Sequence, residues 1–331
     1  MNAVVTLTPA AAIDHTYVMD SLTLDHVNRA ASSHTELSGK GVNVAQAISL
    51  ATVEVSAVLQ LHASDRDLAG RSPVHPFISA TTAERPTRIN TTIIHDHGHT
   101  TKVNQSPVPL TAAEWQKLCQ RTKDEISRLG AGWLVISGSI PTYTTGGAVD
   151  ITELLEWAAT QGVKTALDTS GPALEGALGA SVPITLIKPN THELAAHLGR
   201  SLRTVGDVIA AARELLTGAL EIVYVSMGVD GALCITKSGV WLARATAATV
   251  ANTAGAGDAS LAGFVSGYMA AGMDSNNGGA AFEQAITRAA SWGAHAVSLE
   301  TTMLFSVATA PPANTQQNPD PAQALNDPAI L

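Results

Sequence analysis

Trp133-Leu134-Val135-Ile136-Ser137-Gly138-Ser139, Val163-Lys164-Thr165-Ala166-Leu167-Asp168 and Ile184-Thr185-Leu186-Ile187-Lys188-Pro189-Asn190 follow one another along the chain, with a helical stretch at 151–160 between the first two. Each segment opens as a short apolar run suited to a buried strand and closes on small or polar residues. Similar runs recur at 4–7, 53–59 and 222–226, and further helical stretches fall at 42–51, 111–128, 207–216, 256–271 and 282–297. Strands alternating with helices predict an α/β fold, a doubly wound, mostly parallel sheet flanked by helices. Such a sheet holds its ligand beyond the carboxyl ends of its strands. Ser137-Gly138-Ser139, Asp168-Thr169-Ser170, Lys188-Pro189-Asn190 and Ser226-Met227-Gly228 all reach that edge. Any one of them is the ordinary chemistry of a turn, whereas four on one edge favour a polar ligand.

Two stretches break the rhythm, 14–37 and 88–104. In the second, Arg88-Ile89-Asn90-Thr91-Thr92-Ile93-Ile94 runs into Asp96-His97-Gly98 and then Thr101-Lys102-Val103-Asn104, the pattern of a β-hairpin. Together the two predict a small β-sheet lid standing off a main domain that spans 1–310. From 311 to 331 Pro, Asn, Gln and Ala dominate without a period, and a loosely ordered tail is expected there.

The charge balance narrows the partners. A net charge of -9 repels nucleic-acid backbones and anionic lipid, and an aromatic share of 4% leaves few platforms for base stacking. A small anionic ligand would need a local basic pocket. With 331 residues, 45% of them hydrophobic and 14% charged, the chain can bury the core of a compact enzyme. Cys119 and Cys234 lack CxxC spacing and imply neither a disulfide framework nor a zinc site. No apolar run approaches the length of a membrane span and no signal-peptide pattern opens the chain, so the cytoplasm is the expected location.

The sharpest chemical signal is Asn252-Thr253-Ala254-Gly255-Ala256-Gly257-Asp258, which leads into a helix. Small residues let backbone N–H groups approach a ligand, and a helix N-terminus carries about half a positive elementary charge, which suits an anion formed in phosphoryl transfer. An Asp in a first helical turn ordinarily just complements the dipole. The glycines directly before Asp258 give it a second reading, as a reactive group beside an anion hole. Ser38-Gly39-Lys40-Gly41-Val42-Asn43-Val44-Ala45 also opens a helix, on a turn that is either an anion cradle or plain structure. It lacks P-loop spacing, so Lys40 is not a Walker lysine, and Asn43 is either a cap or a ligand donor. His95, His97 and His99 alternate as strand neighbours on one face do, yet Asp96-His97-Gly98 is the expected turn, and solvated turn histidines are preferred to a metal site.

Taken in order, these segments resemble the ribokinase-like (phosphofructokinase B) carbohydrate kinases, within them the 1-phosphofructokinase and tagatose-6-phosphate kinase branch, from about residue 4 to 298. Thr6-Leu7-Thr8-Pro9-Ala10 with Ile13-Asp14 is similar to the branch's TLNPAxD opening. Val27-Asn28-Arg29-Ala30 with Ser38 to Ala45 resembles VNR…GGKGxNVA, and Thr87-Arg88-Ile89-Asn90 resembles TRIN. Ser137-Gly138-Ser139-Ile140-Pro141 is similar to SGSxP, and Lys188-Pro189-Asn190-Thr191-His192-Glu193-Leu194 to KPNxxEL. Ser226-Met227-Gly228-Val229-Asp230-Gly231-Ala232 resembles the SxGxxGA nucleotide loop, and Thr253 to Asp258 the TxGAGD signature.

If the small lid sheet exposes a face or edge, burying it against a second copy would give a homodimer. The resemblance implies an ATP- and Mg2+-dependent kinase. Asp258 would be the general base and Gly255, Ala256 and Gly257 the anion hole. Asp14, Gly39, Lys40, Asn43, Arg88, Asn90, Lys102 and Ser137 would face the acceptor. Lys188, Asn190, Ser226, Gly228, Gly231 and Thr253 would face the nucleotide, with Asn190 and Glu193 placing Mg2+ through water. The acceptor so implied is a sugar phosphate of the fructose 1-phosphate or tagatose 6-phosphate type. The alternatives are an unphosphorylated sugar or nucleoside, or a binding fold-mate without turnover. Three departures lie on the acceptor side: two extra alanines between Pro9 and Asp14, Ser38 for a glycine, and Leu59-Gln60-Leu61-His62 where relatives carry a glycine-rich turn; Asn252 stands where the signature usually has Asp, a change this branch tolerates.

Overall fold

The computed structural model describes residues 3–95, 99–180, 182–272 and 278–331. The first eight strands are β1 (Ala3–Thr8), β2 (Ala12–Val18), β3 (Ser32–Ser38), β4 (Glu54–His62), β5 (Ile78–Ala83), β6 (Arg88–His95), β7 (His99–Asn104) and β8 (Trp133–Ser137). Eight more follow: β9 (Lys164–Asp168), β10 (Ile184–Ile187), β11 (Leu202–Thr204), β12 (Leu220–Ser226), β13 (Ala232–Thr236), β14 (Val240–Ala245), β15 (Ala313–Gln317) and β16 (Ala324–Ala329). Ten of them make one sheet in the order β15-β14-β13-β12-β10-β9-β8-β1-β4-β5. From β12 to β5 every pairing is parallel, while β13, β14 and β15 add on antiparallel. All six apolar runs read from the sequence lie in this sheet.

The two-residue period of a strand explains why the sheet needs helices on both sides. Val5 and Leu7 of β1, with Leu134 and Ile136 of β8, enter one hydrophobic core. Their neighbours Val4, Trp133 and Val135 enter the other. Helices Ala112–Leu129 and Val205–Leu215 cover the first face, and helices Lys40–Ser49, Ala256–Ala270 and Gly278–Val297 the second. The same winding brings the N-termini of Lys40–Ser49 and Ala256–Ala270 to the carboxyl edge of the sheet.

The two off-rhythm stretches do form a separate sheet, ordered β3-β2-β6-β7. β2 runs antiparallel to β3 and parallel to β6, in a register that sets Ala12 opposite Arg88 and Asp14 opposite Asn90. Its base is a third core in which Ala11, Ile13 and Leu37 pack with Val42, Leu59, Leu61 and Met303. The expected turn at Asp96-His97-Gly98 lies outside the described residues. Among them, His95 and His99 pair at the hairpin end, with His95 Nε2 3.0 Å from Thr101 Oγ1.

The segment after Pro311 differs from the expectation of a loose tail. β15 is the edge strand of the main sheet, paired to β14 from Trp241↔Gln317 to Ala245↔Ala313, and β16 pairs with β11. A polar edge strand needs no apolar period, because its order comes from the backbone ladder. In β16, Leu325 and Ala329 anchor the segment in the first core. Among the described residues no helix is long and apolar enough to cross a membrane.

Candidate active site

Four strand ends and two helix starts meet at one edge. Ser137 closes β8, Asp168 closes β9, Lys188 follows β10 and Ser226 closes β12. Asp258 is the third residue of helix Ala256–Ala270, and Asn43 lies in the first turn of helix Lys40–Ser49. The two touch, with Asn43 Nδ2 donating to Asp258 Oδ2 at 2.8 Å. Both side chains are buried, at 5% exposure each. That hydrogen bond leaves Asp258 Oδ1 outside the pairing and fixes the plane of the carboxylate.

Asp168 is the centre of a charge cluster. Its Oδ1 is 3.2 Å from Lys188 Nζ, and its Oδ2 is 3.4 Å from Lys40 Nζ and accepts from Ser137 Oγ at 3.1 Å. Burial pushes the Asp168 carboxyl upward, but Lys188, Lys40 and the Ser137 hydroxyl hold it below the usual carboxylate range. For Lys188 burial pulls the other way, and the charges of Asp168 and Asp258 keep the ammonium protonated above its ordinary value. Asp258 is pushed up to about 6, first by burial and then by the like charge of Asp168, against the pull of Lys40, Asn43 and Lys188. One carboxylate is thus locked in its charged form while its neighbour is tuned near neutrality. Such a split is how acid–base roles are divided within one site.

Gly255, Ala256 and Gly257, the expected anion hole, form the turn that opens helix Ala256–Ala270. Gly255 sits at φ 80°, where a Cβ would run into the carbonyl oxygen of Thr302. No side chain caps this helix, so its first N–H groups stay available to a ligand. A Cβ on Gly257 would lie 3.4 Å from Lys188 Nζ, which places that ammonium against the same turn. Dipole and point charge therefore converge on one spot.

Asn190 and Glu193 take the form of a capping box. Glu193 N donates to Asn190 Oδ1 and Asn190 N to Glu193 Oε2, each at 2.8 Å. The box uses one Glu193 oxygen and leaves Oε1 outside it. An oxygen donor near phosphates suits Mg2+, which takes few protein ligands and keeps several waters. Ser226 joins this side through its N–H, donating to Pro189 O at 3.1 Å, and through its carbonyl, which accepts from Thr191 Oγ1 at 3.4 Å. Gly228 and Gly231 bound the short 3-10 turn that follows, whereas Thr253 stands exposed before the Asp258 helix.

On the acceptor side, Asn90 Nδ2 donates to Asp14 Oδ1 at 3.1 Å across β2 and β6. Asn90 Oδ1 and Asn43 Oδ1 are buried without a partner, as Thr8 Oγ1 is beside Gly39 and Gly41. Unmatched buried acceptors are the complement of a ligand rich in hydroxyl donors. Lys40, read as an acceptor contact, is also an ion-pair partner of Asp168. Arg88 does not present an open fork, since its Nη2 donates to Ala10 O at 3.1 Å and its Nη1 to Gln105 O at 3.2 Å. Its Nε is buried and unpartnered, and burial lowers its pKa against the opposing charge of Asp14. Lys102 is exposed on β7 opposite Thr92, on the face that carries Asp14 and Asn90. Ser38 is buried as the pairing partner of Ala12. In place of a glycine turn, Gln60 continues β4 and donates through Nε2 to Glu114 Oε1 at 2.7 Å, tying the strand to helix Ala112–Leu129.

Sequence reading gave Asp168 no role. The signal was present, an acid closing an otherwise apolar buried strand, but its three partners stand 128, 31 and 20 positions away.

Residues 2–309 match the pfkB family of carbohydrate kinases. The chain is 35% identical to a 1-phosphofructokinase of Rhodobacter capsulatus over 265 residues, 79% of this chain and 82% of that one. It is 30% identical to a 1-phosphofructokinase of Escherichia coli K12 over 278 residues, 81% and 84% of the two chains. Its structure is similar to that of phosphofructokinase-2 from Escherichia coli in complex with substrates and products, with a TM-score of 0.78, 26% identity, and coverage of 92% of this chain and 96% of that one.

Proposed function

The chain belongs to the pfkB family of carbohydrate kinases, and on that premise we propose that it moves the γ-phosphoryl group of ATP to a hydroxyl of a sugar phosphate, with Asp258 as general base. The observation that carries this reading is the pair of unlike carboxylates. Asp258, near pKa 6 and held by Asn43, stands beside an Asp168 that is locked as an anion between two lysines. Asp258 Oδ1 takes the proton of the acceptor hydroxyl as its oxygen forms a bond to the γ-phosphorus, and the bond to the β-phosphate oxygen breaks to release ADP. Charge on the equatorial phosphoryl oxygens meets the N–H groups of residues 255–257 and the Lys188 ammonium. Lys188, Asn190 and the 226–231 loop receive the nucleotide, and Asp14, Asn43 and Asn90 take the sugar hydroxyls. Mg2+, held by Glu193 and Asn190 through water, would supply charge neutralisation at the phosphates.

Relatives named 1-phosphofructokinase support an acceptor of the fructose 1-phosphate type, with tagatose 6-phosphate as the neighbouring possibility. ADP release from the full chain with fructose 1-phosphate, fructose 6-phosphate, tagatose 6-phosphate, fructose and ribose tests it. Preference for free fructose or ribose over every phosphosugar overturns the phosphosugar reading. One observation favours an unphosphorylated acceptor, namely that the Arg88 fork is engaged by backbone carbonyls. Under the phosphosugar reading the acceptor's phosphate displaces one of those carbonyls. Arg88→Ala then lowers kcat/KM for a phosphosugar by roughly 10- to 150-fold, leaving the ATP KM and turnover of free sugars unchanged. An equal loss with phosphorylated and free sugars would mean that Arg88 only laces the small sheet to the 8–11 turn.

Glu193→Gln preserves an acceptor for the capping box but removes the charge. The expected result is a higher Mg2+ concentration for half-maximal rate, read from initial velocities at fixed ATP. Lost thermal stability with an unchanged Mg2+ requirement assigns Glu193 to the cap alone.

Assembly follows from the small sheet. Asp14, Asn90 and Lys102 share its inner face, so the register puts Ile89, Ile93, Val103 and Tyr17 on the other, where Ile89 is 39% and Val103 61% exposed. Burying that face against a second copy makes a homodimer, which Val103→Asp shifts towards monomer in sedimentation.

A further inference from the structure

The loop after β12 is held from an unexpected direction. Within it Met227 N donates to Gly231 O at 2.8 Å and Asp230 N to Met227 O at 2.9 Å, closing a tight turn into β13. Gly231 sits at φ 92°, where a Cβ would collide with Ala243 O, so the turn has little freedom to rearrange. Asp230 is 1% exposed. Three N–H donors reach its carboxylate, Asn326 Nδ2 at 2.7 Å, Asn326 N at 2.8 Å and Asp327 N at 3.1 Å. All three belong to the C-terminal segment, which lies beyond the residues that match the pfkB family. Arg244 Nε adds a bond to the Asp230 carbonyl at 3.1 Å, not to the carboxylate.

The segment is itself firmly anchored. Gly206 N donates to Pro321 O and Val205 N to Gln323 O, both at 2.9 Å, and Leu331 N donates to Ser201 Oγ at 3.0 Å. With β16 paired to β11 and Leu325 and Ala329 in the core, residues 321–331 form a strap that runs beside β11, helix Thr191–Leu198 and the 228–230 turn. The other end of the loop is tied to the site, because Ser226 bonds Pro189 and Thr191. Val229, at the loop tip between Gly228 and Asp230, is 76% exposed. A buried carboxylate stripped of its donors must reach water, and here only movement of the loop would allow it.

We propose that Asp230 is a positioning residue for the nucleotide, anchored by Asn326 and Asp327 so that the C-terminal strap fixes the 226–231 loop in its binding conformation without touching ATP. The proposal rests on the kinase reading above, in which this loop receives the nucleotide. Loosening the clamp lowers the fraction of loops that are competent to bind, and the apparent affinity falls in proportion.

The test uses the full chain carrying Asp230→Asn, or Asn326→Ala at an exposed strap position that spares the core, with Gln120→Ala as a control on helix Ala112–Leu129, which packs on β1, β4 and β5 at the other end of the sheet from the loop. Calorimetric titration with ADP, which needs no acceptor, gives the direct readout, and ATP KM against kcat at saturating acceptor the second. Loss of a charge-assisted bond predicts an ADP Kd and an ATP KM raised about tenfold in the first two variants, with kcat and acceptor KM held and Gln120→Ala unaffected. Should Asp230→Asn not fold, Asn326→Ala decides alone. Unchanged ADP affinity in a folded Asn326→Ala chain overturns the proposal while leaving the kinase reading intact. A wild-type chain that binds no ADP overturns both.

Discussion

Asp258→Asn lowers turnover by orders of magnitude while leaving the fold at least as stable at pH 8. The activity half follows from its place as base, a role typically worth about 10²–10⁴-fold in kcat. The amide keeps an oxygen for Asn43 Nδ2 but cannot accept the hydroxyl proton. The stability half follows from the sign of the pKa shift. A carboxyl raised to about 6 in the folded chain, above its ordinary 3.8, is more costly to ionise there than in the unfolded chain. Its cost is absent below the unfolded value, grows as pH rises through the window from 3.8 to 6, and is constant above it. Removing the charge therefore stabilises the chain at pH 8 relative to wild type and changes little at pH 3.5. Thermal melts at the two pH values together with initial rates check both halves. Near-normal kcat in a folded variant removes Asp258 from the chemistry. In the wild-type enzyme the same shift predicts a rate that falls on the acid side of about pH 6 as the base becomes protonated.

Asp168→Asn has the second large effect and acts on two properties at once. It leaves the buried Lys188 and its neighbour Lys40 without their shared anion. Removing one partner of a buried pair costs about 3–5 kcal/mol, because the remaining charge stays desolvated. Denaturant titration reads that loss. Catalysis falls as well, by about 10²–10³-fold, since the cation facing the anion hole is no longer oriented. The pH profile separates this from simple destabilisation. Without Asp168 the like charge that raises Asp258 is gone, and so is the main charge that keeps Lys188 protonated. Both groups then titrate lower, and the optimum of the residual activity moves to the acid side. A weaker fold with an unmoved pH profile would make Asp168 a structural residue only.

What the sequence disclosed depended on how local each feature is. The runs ending at Ser137, Asp168 and Ser226 read as strands because each is five to seven residues long with four or five of them buried, and so carries its own signal. Asp258 was legible because its glycines are adjacent to it. The small sheet was legible as a break in rhythm, although not the parallel pairing that faces Asp14 with Asn90. Other features are properties of juxtaposition. Nothing in the neighbourhood of Asp168 announces Lys40, and nothing near Asp230 announces Asn326, 96 positions away. The polar run 313–317 gave no strand signal because its partner, β14, supplies the order. Arg88 read only as a residue facing the acceptor, because the backbone carbonyls that hold its fork leave no mark in a sequence.

The parallel seam between β2 and β6 carries a consequence for how the acceptor site breathes. Asp14 belongs to one hairpin and Asn90 to another, and the two hairpins join along seven paired residues from Ala12↔Arg88 to Val18↔Ile94. Parting that seam separates Asp14 from Asn90 while each hairpin and the whole Asp168 cluster remain folded. The sugar half of the site thus has an opening reaction of its own, lower in free energy than global unfolding. Amide protons of β2 and β6 should exchange ahead of those of β1 and β8 in native-state hydrogen exchange. An acceptor bridging the seam would slow them, whereas a nucleotide alone would not.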